Sequence, residues 1–280
     1  MSATVPATGE TGAGAGAGAS TGTGTGTTTA AGRMAALARA ELTLLGRSKA
    51  TLAAAVFVPL TLPFSLRSTV DQMDLKGTGL SVGSVVLPSS VGFALLFVVY
   101  SSLVSVYAAR REELVLKRLR TGELRDTEIL AGAALPSVAI GLAQCLVLTV
   151  ACSVLLDVGA PSAPHLAVLG LLLGLAMWPP LAAITANFSK SVEGAQVAAM
   201  PLVLVSLVGS GTFIPLQVMP DQLASACELL PLTPVVTLIR GGWTGDLSAH
   251  DTLGALGTAV AWIVLSVFAV RRWFRWEPRR

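Results

Sequence analysis

Long apolar stretches alternate with short polar ones along most of the chain. Six apolar runs carry no charged side chain: residues 50–66, 85–107, 129–156, 166–186, 195–213 and 252–270. A helix needs about 20 residues to cross a hydrocarbon core about 30 Å thick. The pattern therefore predicts an all-α integral membrane protein with six transmembrane helices.

The residues before the first run divide into two parts. Residues 1–32 are almost entirely Gly, Ala, Thr and Ser, so they have too little apolar surface to fold and are predicted to be a disordered tail. Residues 33–48 fit an amphipathic helix in the membrane interface, with Arg39 and Arg47 on its polar side. Glu41 lies within the apolar face, either as a snorkelling carboxylate or paired with another helix. Residues 33–280 are expected to form a single transmembrane domain.

Prolines predict where the spans are irregular. Pro59 and Pro63 should bend the outer end of the first run, and Pro179-Pro180 should break the backbone ladder of the fourth. We expect a similar effect of Pro201 in the fifth.

The segment 214–240 is apolar but interrupted by Pro215, Pro220, Pro231 and Pro234, so one straight span is excluded. Two short helices dipping into the outer leaflet, a re-entrant segment, fit this pattern. Glu228 within it is either a solvated loop charge or part of a translocation path.

The charges give the orientation. Charged residues make up only 12% of the chain, half the usual share of a soluble domain. With both termini in the cytoplasm, 16 of the 19 Lys and Arg residues lie on the inside and three on the outside: Arg67, Lys76 and Arg240. The positive-inside rule therefore predicts a multi-pass protein of the cell membrane with cytoplasmic termini.

The densely charged loop 110–128 connects the second and third runs. It carries six basic and five acidic residues. A helix from Arg110 would place Val115, Leu116 and Leu119 on one face, and Asp126 is placed to cap the next helix. An amphipathic helix of this kind suits docking into a groove of another protein, although a solvated loop that obeys the positive-inside rule has the same charges.

Short motifs add little chemistry. The GLSVG sequence at 79–83 matches a nucleophile elbow by chance, and the GLLLG sequence at 170–174 permits close helix packing. The chain has no GxxxxGK[ST] phosphate loop and no HExxH, so we expect neither ATP hydrolysis by the chain itself nor any other enzymatic activity. Cys145 and Cys152 are expected to be small buried residues.

Two blocks resemble the type 2 ABC exporter permeases, which include daunorubicin-resistance and polysaccharide-export subunits. The loop sequence REELVLKRLRT at 111–121 is similar to the family's Arg-Glu, Gly-Thr-Leu, basic pair and Arg-x-Thr-Pro-Leu stretch, with Leu114 and Val115 in place of Gly-Thr. The sequence SGTFIP at 210–215, followed by Met219-Pro220 and LLPLT at 229–233, is similar to the signature after the fifth span. The likeness covers roughly residues 33–275.

The resemblance implies a permease subunit of an ATP-driven exporter. Two permeases, identical or not, would form the pore in the bilayer, and a separate ATP-binding subunit would bind the ATP, so that the permease itself needs no cofactor. The loop then looks like the coupling helix and 33–48 like the interfacial helix. No nucleic-acid partner is expected.

The implied roles fall on three groups of residues. Coupling to the ATPase partner is assigned to Arg111, Glu112, Val115, Leu116, Lys117, Leu119 and Arg120. The interfacial helix contributes Arg39, Glu41 and Arg47. The re-entrant segment and translocation path contribute Ser210, Gly211, Pro215, Pro220, Glu228 and Pro231.

The uncharged spans favour an apolar or amphipathic, drug- or lipid-like cargo. The alternative is a stand-alone secondary transporter or channel, which would need a coupling charge at the midplane, where the spans offer only Gln144. A membrane-embedded enzyme is less favoured, since both histidines fall at outer loops.

Overall fold

The computed structural model describes residues 81–116, 125–212, 216, 219–274 and 276. The regular structure in this part of the chain is helical, which confirms the all-α prediction. The helices whose bounds fall within the described residues are α1 (Val82–Glu112), α2 (Asp126–Leu155), α3 (Pro164–Asn187), α4 (Val192–Gly209), α5 (Asp221–Glu228), α6 (Leu232–Thr244) and α7 (Ala249–Trp273).

Five of these helices (α1, α2, α3, α4 and α7) are long and apolar enough to cross a membrane. They coincide with the second to sixth apolar runs. Most extend a few residues beyond the run, because a helix continues into its polar ends once its apolar middle has nucleated it. The fifth run is the exception, since α4 ends at Gly209 and Gly211 adopts a left-handed φ of 70°. The predicted tail, the interfacial helix and the first span lie outside the described residues.

The prolines do not interrupt the long helices. Helix α3 runs continuously from Pro164 to Asn187 through Pro179-Pro180, and α4 likewise runs through Pro201, so the interruption of the hydrogen-bond ladder expected at these prolines does not end either helix. Each proline removes one backbone hydrogen bond and leaves the flanking ones in place. The neighbouring Met177 and Trp178 are fully buried, so contacts with other helices hold the segment in shape.

Helix α1 forms the centre of the bundle. In an apolar stretch of 18 residues in α1, 83% is buried, against 11% in the corresponding stretch of α7. Helix α1 is therefore surrounded by protein, while most of α7 faces outward. The residues Leu95–Ser101 within α1 form a π-helix, a conformation that often occurs at functional sites. Tyr100 in this segment bonds Thr185 of α3 through their hydroxyls (2.9 Å).

Small residues bring α3 close to α6. The glycines of the GLLLG motif face α6: a Cβ at Gly170 would lie 2.9 Å from Leu238 Cβ, and one at Gly174 would lie 3.2 Å from Val235. The motif therefore does permit close helix packing, as its sequence indicated. The partner helix is part of the proline-rich segment.

The start of α2 differs from the prediction. Asp126 is the first residue of the helix rather than its cap, and Arg125 occupies the N-cap position. Glu128 reaches back and accepts a hydrogen bond from the Arg125 backbone N–H (3.1 Å). A glutamate at the third position of a helix is long enough to reach the backbone N–H of the N-cap residue. The start of α2 is therefore capped by Glu128 and not by Asp126.

Leu114 adopts a left-handed backbone conformation just after α1, with φ 59°, at the position where the sequence resemblance places glycine. A residue with a side chain is strained by about 1–2 kcal/mol in that conformation. Glycine removes this strain, but it also gives the unfolded chain more conformational freedom, which offsets part of the gain. We expect Leu114→Gly to raise the free energy of unfolding by roughly 0.5 to 1 kcal/mol. Thermal unfolding in detergent measures this.

The neighbouring residue supplies the control. Glu113 has an ordinary φ of −74°, so Glu113→Gly gains no relief from strain and should lower stability slightly. Equal melting temperatures for the two variants would contradict the expectation.

Candidate functional site

Hydrogen bonds between distant segments divide the helix ends into two groups. At one end, Tyr107 of α1 donates to the Leu130 carbonyl of α2 (3.1 Å), and Asn187 of α3 donates from Nδ2 to the Trp273 carbonyl of α7 (3.1 Å). We call this the basic end, because it carries six described cations: Arg110, Arg111, Arg125, Lys190, Arg271 and Arg272. At the opposite end, the far end, Ala163 donates to the Gly242 carbonyl (2.9 Å).

Arg111 at the basic end is inside the protein. It is 1% exposed, and its Nη2 donates to the backbone carbonyl of Ser189 in the turn between α3 and α4. The assignment of Arg111 to coupling stays a prediction, and a side chain buried in this way would act through the Ser189 turn rather than by touching another subunit. The position of Arg111 ties the end of α1 to the turn that starts α4.

The rest of the charged loop divides between interior and surface. Leu116 is fully buried, Val115 is partly buried, and Glu112 is exposed. Lys117, Leu119 and Arg120 lie outside the described residues. Among residues 110–116 of the loop, Glu112 and Glu113 are the exposed charged side chains.

Hydrogen bonds among its own residues also stabilise the turn between α3 and α4 that Arg111 contacts. Ser191 accepts a hydrogen bond from the Gly194 N–H (3.1 Å) and caps α4, while Ser189 Oγ donates to the Ser191 carbonyl (2.9 Å). Gln196 in the first turns of α4 donates to the Ser101 carbonyl of α1 (2.8 Å). The ends of α1 and α4 are therefore linked through several polar contacts.

At the far end, the proline-rich segment forms α5 and α6, bent by 99° at Leu229–Pro231. The pair is a broken span or a re-entrant loop by its geometry. Pro231 is buried at the bend, and Thr233 donates to the Cys227 carbonyl across it (2.6 Å). Pro220 occupies the N-cap position of α5.

Arg240 of α6 is a functional candidate that the site assignments made from the sequence left out. It is counted above as an outer loop charge, but it is only 7% exposed, and its Nη2 donates to the Gly211 carbonyl (2.9 Å). A signal was present: Arg240 is the sole Lys or Arg between Lys190 and Arg271. A solitary cation in such an apolar stretch indicates a functional or structural role.

The far end also contains a cavity of about 550 Å³ between α5, α6 and α7. Glu228 and Arg240 both line it, so the structure brings these two residues to one site. Of the other residues assigned to the path, Ser210 and Gly211 are buried, and Pro215 lies outside the described residues.

The fold is thus that of a multi-pass membrane protein. Hydrogen bonds link the helices at its cation-rich basic end, and a bent helix pair lies at its far end. A comparison with protein families matches residues 33–243 to the ABC-2 type transporter family. The chain belongs to this family and is an ABC-2 type permease, the membrane component of a transporter and not itself a catalytic subunit. A search of curated proteins found no match.

Proposed function

We propose that the chain is the membrane subunit of an ATP-driven exporter in the plasma membrane. The basic end and both termini face the cytosol, and the far end faces outward. The segregation of the described cations to one end supports this orientation. Membership of the family implies an ATP-binding partner subunit.

The observation that carries the proposal is the link between Arg111 and Ser189. A partner that presses on the loop after α1 moves the end of α1, and Arg111 passes that displacement to the turn between α3 and α4. ATP is bound by the partner only, and its energy enters through contacts that differ between two states of the spans. Two permease copies enclose the path.

The cargo follows from the spans. The middle parts of the described spans carry no Asp, Glu, Lys or Arg, and α7 exposes a continuous apolar face. We therefore propose an apolar or amphipathic, drug- or lipid-like cargo. Export of a polyanion by purified, reconstituted permease and ATPase would contradict this assignment.

Copurification tests the partner. Tagged protein co-expressed with the candidate ATP-binding subunit should retain it, and Glu112→Lys/Glu113→Lys should release it, because both residues are exposed on the loop side of α1 and charge reversal replaces attraction with repulsion. We expect retention to fall roughly tenfold or more.

Asp221→Lys provides the matched control, since it reverses an exposed acid at the far end. It should leave retention unchanged. If no ATPase copurifies with the unaltered chain, the proposal fails and a stand-alone transporter becomes the better assignment. If both charge-reversed proteins lose the partner equally, the loop is not the contact.

A further inference from the structure

The far-end cavity carries opposite charges at different depths. Arg240 is buried on its floor, while the carboxylates of Glu228, Asp246 and Asp251 belong to exposed residues of its lining. The arrangement suits a ligand with an anionic group that enters first and a cationic group that stays near solvent. A cavity of about 550 Å³ is large enough for such a polar group.

Arg240 has donors left for an anion. The guanidinium has five N–H groups, of which Nη2 donates to Gly211, while Nε has no partner among the described residues. A buried donor without a partner is costly, and a phosphate would meet the planar guanidinium in a bidentate manner. The floor of the cavity therefore favours a phosphate group.

The exposed acidic residues of the lining, which we call the rim (Glu228, Asp246 and Asp251), indicate which cationic group the ligand carries. Quaternary ammonium groups are typically held by the faces of Trp, Tyr or Phe, and none of the described residues lining the cavity is of these three types. A primary ammonium instead donates hydrogen bonds to carboxylates. Asp251 already accepts one from Ser248 (2.7 Å), which leaves Glu228 and Asp246 as the better-placed acceptors.

The surface beside the cavity indicates a lipid rather than a soluble zwitterion. Leu229 lines the cavity and is 66% exposed, and Leu253 in the adjacent first turns of α7 is similarly exposed. The apolar side of α7 continues from there along the bundle, where acyl chains can lie. We propose that the far-end cavity binds the headgroup of a phospholipid with a primary ammonium, its phosphate at Arg240 and its ammonium at Glu228 and Asp246.

This site goes beyond the proposed function, because it does not depend on which cargo the permease carries or on which partner drives it. Lipid bound there would rest against both arms of the bent helix pair. The binding measurement below needs neither ATP nor an ATP-binding subunit, so its result and that of the copurification are independent.

Native mass spectrometry of the purified full-length protein tests the proposal. The protein is titrated with phosphatidylethanolamine, phosphatidylcholine and phosphatidylglycerol of identical acyl chains. We expect the ethanolamine lipid to bind more tightly than the other two. In Glu228→Gln/Asp246→Asn, its affinity should fall roughly three- to tenfold while that of phosphatidylglycerol stays the same or rises, since the rim no longer attracts a cation.

Two further variants test the specificity of the effect. Asp157→Asn removes an exposed acid at the same end but outside the cavity, at a φ of 50° that asparagine tolerates, and should bind all three lipids normally. Arg240→Lys keeps the charge but loses the planar fork, so it should weaken phosphatidylethanolamine and phosphatidylglycerol alike.

Three results would overturn the proposal. Equal binding of the three lipids by the unaltered protein would show that the cavity does not distinguish their headgroups. Unchanged binding of phosphatidylethanolamine by Glu228→Gln/Asp246→Asn would show that these carboxylates do not hold the ammonium. Soluble glycerophosphoethanolamine that binds as tightly as the lipid would identify a soluble zwitterion as the ligand.

Discussion

Replacing Gly242 with alanine is expected to separate α6 from α3 and to reduce the yield of folded protein. A Cβ at Gly242 would lie 2.6 Å from the backbone N of Ala167 and 2.7 Å from its Cβ. These atoms belong to the backbone and its first side-chain carbon, so no rotamer change relieves the clash. Overpacking of this kind costs about 1–3 kcal/mol, and the upper part of that range applies here.

The contact at Gly242 also determines the position of the proline-rich segment. The Gly242 carbonyl accepts from Ala163, and the Trp243 carbonyl accepts from Ser162 Oγ (3.2 Å), so the start of α3 is bonded to the end of α6. Pushing the helices apart weakens both bonds. We therefore expect a clearly lower melting temperature, measured by size-exclusion chromatography after stepwise heating in detergent.

Gly257→Ala is the matched control, because a Cβ at Gly257 meets no atom within 4 Å. The same added methyl group should leave stability unchanged or raise it by about 0.5–1 kcal/mol through helix propensity. If the two variants melt at the same temperature, the close approach of α3 and α6 is not what stabilises this end of the bundle.

Replacing Arg111 with methionine is expected to uncouple the two ends of the permease. Methionine has a long, apolar side chain that fills much of the same volume but cannot donate to the Ser189 carbonyl. Loss of a hydrogen bond from a buried charged donor costs about 1.5–3 kcal/mol, enough to change the ratio of two conformations by tenfold or more. The exposed Glu112 is unchanged, so binding of the ATP-binding subunit should persist.

Spin labels at Asp157→Cys and Leu223→Cys, both exposed at the far end, measure the coupling in the assembled complex. Addition of ATP should change the distance between them in the otherwise unaltered complex and should change it much less with Arg111→Met. Arg111→Lys retains one donor and should recover part of the response. A full ATP response with Arg111→Met would remove Arg111 from the transmission path.

Part of the site could be predicted from the sequence and part could not. The bent helix pair was anticipated because Pro220, Pro231 and Pro234 exclude a straight span by their own covalent geometry. The sequence left open whether α3 continues through Pro179-Pro180, because a proline's effect on a helix depends on what packs around it. Glycine spacing indicated close approach at Gly170 and Gly174 but could not identify α6 as the partner.

The sequence by itself determined the number and approximate positions of the described spans, the segregation of cations and the membership of the family. These features depend on local apolar length, on charge and on residues close in the chain. Only the tertiary structure decided which charges leave the surface: Arg111 meets Ser189, 78 residues away, and Arg240 meets Gly211, 29 residues away. Burial of a charge depends on elements distant in sequence, so no local pattern encodes it.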